Sequence, residues 1–287
     1  MMDNTLSMAS KKSPLARLMA YPLVQIVLGM VLTFAPVPLT MIIASQLVEK
    51  SYRILWPQLL AAVLVWCGYR FYVRHIEKRQ PVELAMPGMA RALGRGLLLG
   101  AGLVALTFVV LAALGVYQFS GVNALSVLLL LPLAELVLVG MAEEMMFRGV
   151  LFGVTARALG NKAAIVISSL VFALAHLPNA GFSLLAILAI AAYGVLQAAL
   201  YMQTRRLWVC IGTHIGWNYC VSQVFSSTVS GHVATDGLLR GELSGNAMLT
   251  GGAFGVEASL VTVLLISAVA AYMLRLTFAS AARTPRN

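Results

Sequence analysis

Three polar clusters lie on segments otherwise composed for lipid: Glu143-Glu144-x-x-x-Arg148, Phe172-x-x-x-His176 and His214-x-x-x-Asn218. An ionisable group inside a bilayer is costly unless it is paired or carries out chemistry. Two carboxylates, a guanidinium, two imidazoles and a carboxamide can together take a proton, return it and stabilise a developing oxyanion. Those are the requirements of acid–base hydrolysis.

Spacing assigns parts within each cluster. Neighbouring residues on a helix point about 100° apart, so Glu143 and Glu144 cannot face one point. Arg148 stands four residues beyond Glu144, the spacing of an ion pair along one helix face, which leaves Glu143 as the free carboxylate. His214 and Asn218 share a face for the same reason, as do Phe172 and His176. A packing ion network would explain the first cluster alone. Two histidines on different helices beside a spare carboxylate make that explanation weaker. His75 and His232 fall in polar connectors and read as surface residues. Cys67, Cys210 and Cys220 fall inside predicted helices without Cys-x-x-Cys spacing, so they read as buried free thiols.

Composition dictates what must hold these groups. The chain is 60% hydrophobic and 10% charged, whereas soluble domains carry roughly 25% charged residues. The predicted class is all-α, a polytopic membrane helical bundle of about eight spans. These are placed near Tyr21–Leu47, Ile54–Val73, Leu97–Tyr117, Leu125–Val150 (continuing toward Leu159), Ala163–Leu177, Phe182–Met202, Leu207–Phe225 and Ala258–Leu276. Lys11, Lys12 and Arg17 resemble a signal peptide's charged region, but the apolar run that follows is too long for a signal core, so a retained first helix is expected.

With the amino terminus in the cytoplasm, eight crossings put 17 of the 20 Lys and Arg on the inner side; only Lys50, Arg53 and Arg240 lie outside. That bias predicts both termini to be cytoplasmic. It also accounts for the net charge of +10 without nucleic acid. The expected organisation is a tail at 1–20, one membrane domain at 21–280 with its catalytic core at about 125–225, and a tail at 281–287. The connector 74–95, basic with interspersed Val, Leu and Met, reads either as a surface segment on anionic lipid or as a solvated link. The Ser226–Val256 stretch is the long polar outer loop, loosely ordered or folded over the outer mouth.

Depth is consistent with one site. If the fourth helix runs to Arg157, Glu143 lies roughly 21 Å from its inner end, and His176 lies roughly 21 Å from Lys162. His214 and Asn218 lie roughly 12 and 18 Å beyond Arg206. The four groups can meet in one layer.

The full set resembles the CAAX-processing and bacteriocin-processing intramembrane protease family, which includes the type II CAAX prenyl endopeptidases. The family pattern of two glutamates with an arginine four beyond the second, then Phe-x-x-x-His, then His-x-x-x-Asn is matched at every position, within about Leu130 to Gln223. The resemblance implies peptide-bond hydrolysis in the membrane. Glu143 would be the general base, helped by His176; His214 and Asn218 would hold the oxyanion; Glu144, Arg148 and Phe172 would support them.

The family is often labelled metalloprotease, and Glu143, His176 and His214 would be the zinc ligands. No His-Glu-x-x-His spacing is present, and a glutamate-activated water needs no metal, so the metal-free route is favoured while zinc stays open. The expected partners are the lipid bilayer and a membrane-embedded or lipid-anchored protein or peptide substrate. Compact size and Gly/Ala-rich helices point to a bacterial cell membrane. Two other classes fit the same residues: an idle scaffold or bacteriocin-immunity protein on this fold, and a small transporter or proton relay. The lack of an inverted repeat weighs against the transporter.

Overall fold

The computed structural model describes residues 17–233 and 236–283. The expected tails at 1–20 and 281–287 fall mostly outside them, together with Lys11, Lys12 and Arg286.

The fold is all-α. Eight long helical segments stand where the eight spans are predicted: α1 Pro22–Leu47, α2 Trp56–Phe71, α3 Met89–Ala113, α4 (133–159), α5 Asn161–Ala175, α6 Leu184–Thr204, α7 Leu207–Tyr219 and α8 Leu260–Arg283. Among the described residues, four of them are long and apolar enough to cross a membrane: Pro22–Leu47, Met89–Ala113, Leu184–Thr204 and Leu260–Ala279. The others are short or pass into π-helical turns. These turns lie at Tyr72–Ile76 beyond α2, at Met145–Phe152 inside α4, and at Cys220–Val224 beyond α7.

Local chemistry explains where the helices bend and stop. Pro36 has no N–H to give the preceding turn, so α1 kinks at Ala35. The third helix ends at Ala113 rather than Tyr117, because Gly115 turns the chain with φ 72. The fourth begins at Leu133 rather than Leu125, after a 3₁₀ turn at Val127–Leu130 and Pro132.

The closest helix pair is α3 with α7, and glycines make it possible. A Cβ on Gly96 or Gly100 would sit 2.2 Å from a carbonyl oxygen of α7, and one on Gly212 or Gly216 would sit 2.3 or 2.4 Å from a carbonyl of α3. The two small-x-x-x-small faces interlock backbone to backbone. Gly140 lets α4 approach α7 at Ile215 and His214 in a looser version of the same contact. Helix α7 is therefore fixed on one side by α3 and presents its other side to α4.

One end of the bundle is basic, carrying the α2–α3, α4–α5 and α6–α7 connections; the other carries the long loops. At the basic end, connector 74–95 is not a solvated link: it leaves Val82 and Met86 exposed but turns its acids inward. Glu83 and Leu84 are buried. Tyr69 donates to Glu83 at 2.5 Å, and Arg79 donates to Glu77 at 2.6 Å and to Glu83 at 2.8 Å. Arg157 reaches Glu77 from α4, and Arg206 donates to the carbonyls of Ala85 and Pro87 at 3.0 and 2.6 Å. The connector is pulled inward by its acids, which a basic composition hides.

At the loop end, Tyr117–Val122 pairs antiparallel with Leu239–Leu243 across a bulge between Phe119 and Gly121. This two-stranded ribbon, not anticipated from the sequence, ties the loop after α3 to the loop after α7. The Ser226–Val256 stretch is folded over this end of the bundle: Gly231 N–H donates to Phe254 O at 2.8 Å, and Asn179 Nδ2 donates to Ser230 O at 2.9 Å. Arg148, which the charge count assigns to the inner side, is instead 1% exposed within the bundle. Without Arg148, 16 Lys and Arg remain in the set expected on the inner side.

Candidate active site

The three motifs come from α4, α5 and α7. Helix α4 carries Glu143 and Glu144 at the end of its first α-helical part, immediately before the π-helical stretch that contains Arg148. π turns inside α-helices recur at functional sites. Helix α5 ends at His176, whose backbone (φ −93, ψ 0) has left the helix. Helix α7 places His214 and Asn218 one turn apart, again just before a π turn.

Glu144 is the hub. Its side chain is fully buried, and its Oε1 accepts from Arg148 Nη1 at 3.1 Å, Gln197 Nε2 at 3.0 Å and His214 Nδ1 at 3.0 Å. Gln197 also donates to the Cys210 carbonyl at 3.0 Å. Three helices thus converge on one carboxylate oxygen. Arg148 lies over the Phe172 ring, 4.3 Å from its centroid, a cation–π contact in a dry setting. The motif phenylalanine is therefore more than packing: Phe147, His176 and Tyr193 also stand around its ring.

Glu143 is arranged differently. Its side chain is 24% exposed, and its Oε2 stands 3.8 Å from His214 Nε2. It has no hydrogen-bond partner among the described residues. The distance is too long for a direct bond and suits a third atom shared between the two groups. His214 thus bridges two carboxylates, with Nδ1 on Glu144 and Nε2 toward Glu143. Because Glu144 accepts, Nδ1 carries the proton. His176 Nδ1 lies 2.8 Å from the Phe172 carbonyl, which can only accept, so this imidazole also keeps its proton on Nδ1. Both rings therefore have Nε2 free for chemistry.

Glu143, His176, His214 and Asn218 all line one cavity of about 550 Å³. Its other walls are Phe34 and Val37 from the kink of α1, the first turns of α4, and Val229, Ser230 and His232 from the loop end. His232 is exposed, as the sequence suggests, but it faces this cavity. His75 stacks on Phe71 at 4.3 Å, away from the site. A smaller chamber of about 30 Å³ adjoins the cavity, shares His176, His214, Asn218 and Ser230 with it, and adds Tyr193, Trp217 and Glu257.

Zinc does not fit this arrangement. Among the described residues, no three His, Cys, Asp or Glu side chains are placed to hold a metal ion. Glu143, His176 and His214 face one cavity without forming a ligand set. His214, which the resemblance pairs with Asn218 for the oxyanion, is the imidazole within 4 Å of Glu143; His176 lines the same cavity from the end of α5. Sequence reasoning missed Gln197, Tyr193 and Glu257. Gln197 was visible as an amide in the middle of the apolar run of α6, four residues after Tyr193. Glu257 had no local signal.

Residues 124–220 match a family model described as type II CAAX prenyl endopeptidase, Rce1-like. This stretch contains all three motifs. No curated protein matches the chain.

Proposed function

We propose that the chain, whose residues 124–220 match a model of type II CAAX prenyl endopeptidases, is an intramembrane endopeptidase in which Glu143 activates water. The observation that carries this reading is the state of Glu143. It is a carboxylate without a hydrogen-bond partner among the described residues, on the wall of a cavity shared with His176, His214 and Asn218. In a buried ion network such an oxygen is a cost without return; in a hydrolase it is the base.

In the proposed reaction, water in the cavity gives a proton to Glu143 while its oxygen attacks the scissile carbonyl carbon. His176 Nε2, a lone-pair acceptor in the tautomer its Nδ1 bond fixes, supports the same deprotonation. Negative charge moves to the carbonyl oxygen, where Asn218 donates from its amide. His214, when protonated, donates from Nε2. Collapse breaks the C–N bond, and the proton returns to the leaving amine. Glu144, Arg148 and Gln197 do not touch the substrate; they hold the His214 ring and its tautomer, as a carboxylate orients a catalytic imidazole elsewhere.

The proposed topology is eight crossings with the basic end in the cytoplasm, both termini there, and the loop end outside. The substrate is a membrane-embedded or lipid-anchored protein or peptide. The test is a comparison of newly formed peptide termini, by mass spectrometry, in membranes from cells expressing the wild-type protein or Glu143→Gln. Termini present only with the wild type support the reading. Identical profiles, with both proteins folded at equal abundance, would favour a scaffold or immunity role on this fold.

A further inference from the structure

The loop-end wall of the catalytic cavity is a short strap, Ser226–His232, in an unusual backbone state. Ser226 and Ser230 have φ of 52 and 48, and Gly231 has φ of 81. Left-handed conformations at non-glycine residues are uncommon and persist where surrounding contacts impose them. Those contacts are visible here. Asn179 donates to the Ser230 carbonyl at 2.9 Å, and Gly231 lies so close to Ala180 that a Cβ would sit 2.4 Å from its carbonyl oxygen.

The strongest contact comes from Glu257, on the 3₁₀ turn leading into α8. Its side chain is buried, and both of its oxygens are used. Oε1 accepts from the Trp217 indole at 2.7 Å, and Oε2 accepts from the backbone N–H of Ser230 and from its hydroxyl at 2.8 Å. One carboxylate therefore joins the strap to the α7 residue that precedes Asn218. Ser230 lines both the catalytic cavity and the small chamber, while Glu257 lines only the chamber. Glu257 lies outside the stretch that matches the protease family.

We propose that Glu257 is a positioning residue that latches the Ser226–His232 strap across the loop-end mouth of the catalytic cavity and, through Trp217, couples the strap to the α7 turn carrying Asn218. Opening the latch releases Val229, Ser230 and His232 from the cavity wall and lets solvent or a substrate segment in from that end. This rests on reading the cavity as the reaction chamber, but its test need not.

The readout is the reaction of a water-soluble maleimide in Val139→Cys, at a position that lines the cavity, in a Cys67→Ser background, because Cys67, unlike Cys210 and Cys220, is exposed and not buried as its sequence setting suggests. Glu257→Gln preserves shape but turns one amide NH₂ toward either the indole or the Ser230 donors, breaking the latch. Labelling should accelerate about tenfold or more, the scale expected when hydrogen bonds to a charged acceptor are lost from one of two states, measured at a temperature where both proteins remain folded. Equal labelling rates with and without Glu257→Gln would overturn the proposal. If Glu257→Gln fails to fold, Ser230→Ala decides: it removes one latch donor and should give a smaller acceleration, and no acceleration would overturn it. Faster labelling in a protein that cleaves nothing would leave the latch standing and remove the protease reading.

Discussion

Two clusters of buried carboxylates and arginine lie in this bundle, one at its basic end and one at the cavity, and they differ in how fully their oxygens are used. At the basic end every carboxylate oxygen is engaged. Glu83 accepts from Tyr69 and Arg79 on separate oxygens, and Glu77 accepts from Arg79 on one and from Tyr72 and Arg157 on the other. At the cavity, all three donors crowd onto Glu144 Oε1. Glu144 Oε2, Glu143 Oε2, Arg148 Nη2 and Gln197 Oε1 are buried without a hydrogen-bond partner among the described residues. The first cluster is saturated, which is how buried charge is made structural. The second keeps spare capacity beside a cavity, which is where reactive groups are found.

Substitutions should separate the two. The largest stability effect is expected at the hub. Glu144→Gln leaves buried Arg148 without its counter-charge, which costs about 3–5 kcal/mol in buried pairs, and it releases His214 as well. A chemical melt that shows no loss of stability would mean that Arg148 finds another partner and that Glu144 is not the hub. Next comes Asn218→Ala, expected to lower turnover about 10²- to 10³-fold, the scale for losing one oxyanion donor, with folding unchanged. If substrate affinity falls and turnover holds, Asn218 binds the ground state only.

Smaller still, Glu83→Gln should destabilise by about 1–3 kcal/mol, the scale for a buried hydrogen bond to charge, while activity per folded molecule stays the same. A specific-activity loss would mean that the basic end is coupled to the site. The smallest expected effect is that of chelation. With no three ligands placed together among the described residues, a strong chelator should leave turnover intact. A chelator-sensitive protein that carries stoichiometric metal by mass spectrometry would show that the side chains rearrange into a ligand set.

Much of the site was legible because helical spacing converts directly into shared faces. Glu144 with Arg148, and His214 with Asn218, are neighbours for geometric reasons that need no tertiary information. The long apolar runs likewise placed eight helical segments to within a few residues in most cases. The exceptions were α3, which starts at Met89 rather than Leu97 and ends at Ala113, the start of α4, and α8, which runs on to Arg283 rather than Leu276; Gly115 and Pro132 decided the end of α3 and the start of α4 within still-apolar sequence. What stayed hidden depends on distant partners. The bond between His214 and Glu144 spans 70 residues, Gln197 reaches Glu144 across 53, and Glu257 reaches Trp217 across 40. The inward fold of the 74–95 connector was masked because Glu77 and Glu83 are outnumbered by basic neighbours, although those acids draw the arginines in.

The most direct test crosses the two clusters in one preparation. Glu143→Gln and Glu83→Gln are purified together with the wild type. Each is measured for thermal midpoint and for cleavage of a peptide identified from wild-type membranes. The account predicts that Glu143→Gln loses cleavage about 10²- to 10⁴-fold, the range for a general base, at an unchanged midpoint. It predicts that Glu83→Gln lowers the midpoint and keeps its cleavage per folded molecule. Retained cleavage in Glu143→Gln would contradict it.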